Sequence, residues 1–170
     1  MKKLLILMAG LFFYFASCNA QTTVPAKPCT SPESSQFDFW IGNWKLTYND
    51  TVHASNTVTK NLDGCVTYEH FSDPSTKFNG NSWSVYNVKT KKWQQTWVDN
   101  QGGYIVLSGS FENGKMELYT EPFTLNGTKV QQRMVYYNIT SKNFDWNWEQ
   151  TRDEGKTWKT NWKIHYERIK

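Results

Sequence analysis

From Phe37 onward the chain alternates: apolar or aromatic residues take every second position and polar residues fill the positions between. Period two is what a strand with one buried face demands, because successive side chains point to opposite sides of a sheet. Turn residues interrupt the runs at roughly 8–12-residue spacing, the all-β pattern. Strands are expected near 43–49, 55–62, 65–71, 81–88, 92–99, 104–111, 115–120, 129–139, 143–151 and 158–168. Between them stand Asp63-Gly64, Asn100 to Gly103, Asn113-Gly114, Asn126-Gly127 and Glu154-Gly155, residues that accept the positive φ of tight hairpins. Pro74 and Pro122 fall in or beside turns, so no central strand loses a ladder donor. No stretch keeps helical period over three turns; one short helix is expected around Phe37 to Ile41, with Ser34 and Ser35 available as caps. Ten strands with short connections describe a meander, and closing it removes both edges. A two-sheet sandwich, the main alternative, needs longer Greek-key crossovers. The expected fold is all-β: a single antiparallel up-and-down β-barrel of about ten strands with one short N-terminal helix.

The N-terminus has a different grammar. Lys2 and Lys3 precede an uncharged run from Leu4 to Ser17, and Cys18-Asn19-Ala20 offers small residues before a cut. These are the parts of a secretion signal, and the run is shorter than the roughly 20 apolar residues a membrane span needs. The expected organisation is a signal peptide at 1–20, an extended leader at 21–36 carrying Pro25, Pro28 and Pro32, and the barrel at 37–170. Phe15-Ala16-Ser17-Cys18 also resembles a lipoprotein box, which would place a lipid anchor on Cys18. Either way the chain is expected to be exported, periplasmic or secreted, or held at the outer membrane. In an oxidising compartment Cys29 and Cys65, the remaining even pair, are expected to form a disulfide. The net charge of +4 is scattered, with no basic block, so no nucleic-acid partner is expected.

Two motifs bracket the barrel. Gly42-x-Trp44 opens the first strand after Phe37-Asp38-Phe39-Trp40-Ile41, and Arg168 lies on the last strand. The arrangement looks like the opening of lipocalins, in which a Trp plugs the closed end and an Arg packs over its face; the physics is a cation on an aromatic quadrupole plus guanidinium donors for loop carbonyls. Further along come Gly64-Cys65-x-x-x-Glu69, Gly80-x-Ser82-x-x-x-Tyr86, Trp93-x-Gln95-x-Trp97-Val98-Asp99 and Asp153-x-Gly155-Lys156-Thr157-Trp158. Together, from Phe37 to Arg168, these resemble a family of bacterial exported proteins of lipocalin-like (calycin-type) architecture. The resemblance implies a lipocalin-like barrel and no particular reaction. Thr151-x-Asp153-x-Gly155-x-Thr157-Trp158 also looks like an Asp box, but it occurs once, so it reads as one stabilised hairpin and not as a propeller repeat.

The phase of each strand selects the residues facing inward: Cys65, Thr67, Glu69 and Phe71; Ser82, Ser84 and Tyr86; Trp93, Gln95, Trp97 and Asp99; Phe144, Trp146, Trp148 and Gln150. Aromatics interleaved with sparse polar groups suit a pocket. Glu69, Ser82, Ser84, Gln95, Trp97, Arg133 and Gln150 are the expected ligand-lining residues, and the ligand is a small hydrophobic or amphipathic molecule. Internal pairing of Glu69 with Arg133, or of Gln95 with Gln150, is the competing reading. Three His residues lack short metal-ligand spacing, no catalytic constellation or phosphate loop appears, and no cofactor is expected. Two other functions remain open: an isomerase- or hydrolase-type enzyme using Glu69, and a structural envelope protein with a filled core.

Overall fold

A computed structural model describes residues 29–169. The expected signal segment 1–20, Cys18 and leader residues 21–28 lie outside the described residues. Eleven strands follow in order: β1 Gly42–Tyr48, β2 Thr51–Asn61, β3 Val66–Asp73, β4 Phe78–Asn87, β5 Lys92–Asp99 and β6 Tyr104–Glu112, then β7 Lys115–Tyr119, β8 Phe123–Leu125, β9 Thr128–Tyr137, β10 Asn143–Thr151 and β11 Lys159–Arg168. All pairings are antiparallel, from β1 to β7 each strand joins the next, β7 joins β9, and β1 pairs with β11 to close the barrel.

β7 and β8 both lie along β9, with Tyr119 opposite Arg133 and Phe123 opposite Val130. The outer strand takes one residue more than its partner between those points, so β7 and β8 are one stave interrupted by a bulge at Thr120 to Pro122. Thr120 donates its N–H to Gln132 O, and its hydroxyl accepts the Gln132 N–H. Pro122 sits in the bulge, where a missing N–H removes no ladder bond. Counted as staves, the barrel has ten.

Asn113-Gly114 (φ 51° and 75°) and Asn126-Gly127 (φ 50° and 76°) hold positive φ at both central positions, the primed geometry that matches strand twist. β1 turns into β2 on Asn49-Asp50, likewise at positive φ, so β2 begins at Thr51, earlier than the alternation indicates. The single expected helix is two 3-10 turns, Pro32–Ser35 and Asp38–Trp40, and neither has a side-chain cap. Segments this short have no helical stability of their own, so packing sets their shape.

That packing is the closed end of the barrel. Phe37, Trp40, Trp44 and Phe144 are fully buried there. Arg168 lies with its guanidinium carbon 4.1 Å from the Trp44 ring centroid. It donates to Ile41 O at 2.5 Å, Phe39 O at 2.9 Å and Ser141 O at 2.8 Å, and Trp44 donates its indole N–H to Trp40 O at 2.8 Å. Gly42, at φ 136°, has no room for a side chain: a Cβ there would stand 2.2 Å from Arg168 Nη1. The Cys29–Cys65 disulfide ties the leader to the start of β3. Lys60 adds a second tie, pairing with Asp38 at 2.7 Å and donating to Ser34 O. Among the described residues no helix is long and apolar enough to cross a membrane.

Candidate ligand cavity

The inward faces of β2 to β5 carry a band of polar side chains. The registers set Glu69 opposite Ser82, Thr67 opposite Ser84, and Ser84 opposite Gln95, and all five are buried. Short strand-to-strand distances let these side chains bond across the ladder. Gln95 donates to Ser82 Oγ at 3.2 Å and Ser84 Oγ at 3.0 Å. Ser82 in turn donates to Glu69 Oε2 at 2.5 Å, and Asn56 Nδ2 donates to Glu69 Oε1 at 2.7 Å. Burial pushes the Glu69 carboxyl up to about 7, against the opposing effect of the Ser82 and Asn56 hydrogen bonds. Tyr136 and Tyr166 stand nearby, their phenols raised well above 10 by burial and by the Glu69 charge, so both stay neutral.

Above this band, toward the end of the barrel away from Trp44, a cavity of about 160 Å³ opens. Its floor is polar: Glu69, Tyr136 and Tyr166. Its walls are aromatic, with Trp97 and Phe71 on one side and Trp146, Trp148 and Trp162 on the other. Phe78, Ile105, Met134 and Ile164 complete the apolar lining, and Asp99 stands at the mouth. Trp97 is held in place twice. Its indole N–H donates to Asp99 Oδ2 at 3.0 Å, and its ring lies on the bare backbone of Gly80, where a Cβ would stand 2.1 Å from the ring. Asp99 also accepts the N–H groups of Gln101 and Gly103. Partial burial works against its ionisation, but these hydrogen bonds win and hold it below the usual carboxylate range.

The seven expected lining residues therefore divide. Glu69 and Trp97 line the cavity. Ser82, Ser84 and Gln95 lie behind it, bonded to Glu69 or to one another as above. Gln150 is in the inward phase but pairs with Gln132 at 3.2 Å, outside the lining, and not with Gln95. Arg133 must be corrected. On β9 it is Met134 and Tyr136 that line the cavity, so Arg133 points to the outer surface. There it pairs with Glu149 at 2.7 Å, approaches Glu117 at 3.7 Å and lies 4.1 Å above the Trp158 ring. The internal pairing of Glu69 with Arg133 is absent. Trp158 projects from the Asp-box hairpin, where Asp153 accepts the Thr157 N–H at 2.9 Å and Gly155 donates to the Thr151 hydroxyl. Asn56, Tyr136, Tyr166 and Asp99 belong to the site or its support, although none was among the expected ligand residues.

A broader open groove of about 540 Å³ crosses the outside of β6 and β7, edged by Lys92, Glu112, Lys115 and Glu117. It is polar and largely open to solvent, and lacks the apolar enclosure that binds small molecules. The interior cavity is the better candidate.

No protein-family model matches the chain, and no curated protein matches it.

Proposed function

We propose that this protein is an exported lipocalin-like barrel, of the kind its motifs resemble, that holds one small, mostly apolar molecule in the interior cavity. The observation carrying this reading is the cavity lining, aromatic at eight of thirteen residues with a carboxyl on the floor. The volume sets the ligand size: a dry cavity of about 150 Å³ accepts benzene, so the fit here is a single ring or a short chain whose remainder leaves through the mouth. The test is intrinsic tryptophan fluorescence during titration with one-ring compounds, in wild type and Trp97→Phe. A saturable change in wild type, reduced in the variant, supports the reading; the absence of saturable binding by fluorescence and calorimetry rejects it. Export is checked by fractionation and intact mass: the mature chain should begin at Gln21, or at a lipidated Cys18.

A second reading has an observation in its favour. A carboxyl near 7 at the edge of an apolar cavity is suited to proton transfer at neutral pH, so Glu69 would act as the general base of an isomerase-type enzyme. Its check is exchange of the α-protons of acetophenone into deuterated water, catalysed by wild type and lost in Glu69→Gln.

A further inference from the structure

We infer that the cavity selects a protonated amine, with the ammonium group between the Glu69 carboxylate and the aromatic walls. The inference rests on the reading of the cavity as a ligand site and adds the charge of the ligand.

Three observations point the same way. First, the lining holds two carboxyl residues, Glu69 and Asp99, and no Lys, Arg or His. The whole chain carries a net charge of +4, so this negative interior is local and opposes the general charge of the protein. Asp99 is an anion pinned by three N–H donors, and Asp73, in the same inward phase further along β3, is held ionised by Ser75, Tyr48 and Thr76 against the effect of burial. A carboxylate ligand entering by this mouth would meet like charge. Second, the walls are tryptophan, tyrosine and phenylalanine, whose ring faces attract a desolvated cation. Trp97, Trp146, Trp148 and Trp162 surround the space on both sides. Third, the Glu69 carboxylate accepts side-chain hydrogen bonds only from Asn56 and Ser82. A carboxylate has acceptor capacity beyond two such bonds, and an ammonium, which only donates, can fill it.

Glu69 makes the selection pH-dependent. The groups facing it are Asn56 on β2, Ser82 on β4, Gln95 on β5, Tyr136 on β9 and Tyr166 on β11, with His70 beside it on β3 and Asp73 and Asp99 toward the mouth. Both phenols stay neutral, and both aspartates titrate well below neutral pH. Binding an ammonium requires ionised Glu69, so affinity is highest above about 7 and falls as Glu69 takes up its proton.

The experiment is isothermal titration calorimetry of the mature protein with three probes of one shape: benzylamine, which is protonated throughout the range used, benzyl alcohol and benzoate. At pH 8 benzylammonium should bind at least about tenfold more tightly than benzyl alcohol, a difference of roughly 1.4 kcal/mol, with benzoate weakest. Between pH 8 and pH 5.5 the benzylammonium affinity should fall about tenfold or more, while that of benzyl alcohol stays level. Glu69→Gln should abolish the preference for the cation and the pH dependence of benzylammonium binding. If that variant does not fold, the wild-type pH profiles decide. Benzyl alcohol or benzoate binding as tightly as benzylammonium at pH 8, or a benzylammonium affinity that is level with pH, overturns the amine inference and leaves the cavity reading standing. Failure of all three probes to bind overturns both.

Discussion

Replacing Glu69 by Gln keeps the size and one carbonyl acceptor but removes the ionisable group from a site where ionisation is costly. In the folded protein the carboxyl sits at about 7, against an ordinary value of 4.5. Because its folded value is raised, Glu69 favours the native state fully below about 4.5, and that contribution is lost as pH rises toward and through 7. At about 1.36 kcal/mol per pH unit over that interval, the loss comes to about 3 kcal/mol. Urea unfolding of wild type and Glu69→Gln should be followed from pH 4 to pH 8.5. The difference between the two isolates Glu69, because the other carboxylates titrate in both. Wild type should lose about 3 kcal/mol relative to the variant between about pH 4.5 and 7.5, with most of the change complete by pH 7 and none beyond pH 8. Parallel profiles would show that the Asn56 and Ser82 donors fully offset burial, and the account of Glu69 as a group poised near neutrality would be wrong.

Gly80→Ala places a Cβ where the Trp97 ring lies; it should displace the indole into the cavity and weaken one-ring ligands by about tenfold or more, at a stability cost of about 1–3 kcal/mol, read by calorimetry and near-ultraviolet circular dichroism. Arg168→Ala leaves three carbonyls without their charged donor and bares the Trp44 face, so urea unfolding should show a loss of about 3 kcal/mol or more, and Arg168→Lys should recover less than half of it. Reducing Cys29–Cys65, which spans a sequence separation of 36, should cost about 3–4 kcal/mol on the loop-entropy argument, and thiol titration of the unreduced, denatured mature protein should find no free thiol.

Strand phase was the most legible feature of the sequence. Thr67, Glu69 and Phe71, Ser82 and Ser84, Trp93, Gln95 and Trp97, and Phe144, Trp146 and Trp148 all face inward because alternation against a buried side leaves no freedom to slip by one residue. Asn56 carried the same signal unnoticed, since it is in phase with buried Ala54 and Val58 on β2. Arg133 was misread because the outer surface of β9 is itself partly covered: with Glu117, Glu149, Tyr119 and Trp158 around it, an outward arginine has the company of an inward one. Depth was not legible at all. Ten staves enclose an interior wider than side chains readily fill, yet Phe37, Trp40 and Trp44 fill the closed half, and the cavity beyond them is modest. How far along the axis a side chain sits depends on tilt and register between strands, which alternation within one strand does not encode.

The buried polar band divides the interior into two parts. Asn56, Glu69, Ser82, Ser84 and Gln95 lie between the aromatic plug around Trp44 and the aromatic walls around Trp97. Stability alone would be better served by apolar residues of similar volume, because a buried carboxyl with incompletely satisfied amide neighbours is destabilising unless something else completes it. The band does what an apolar layer would not. It ends the plug with groups that will not pack against further hydrocarbon, and it presents one of them, 6 % exposed, to the space beyond. The burial that raises the Glu69 carboxyl to about 7 comes from the same arrangement that sets it on the floor of an otherwise aromatic cavity.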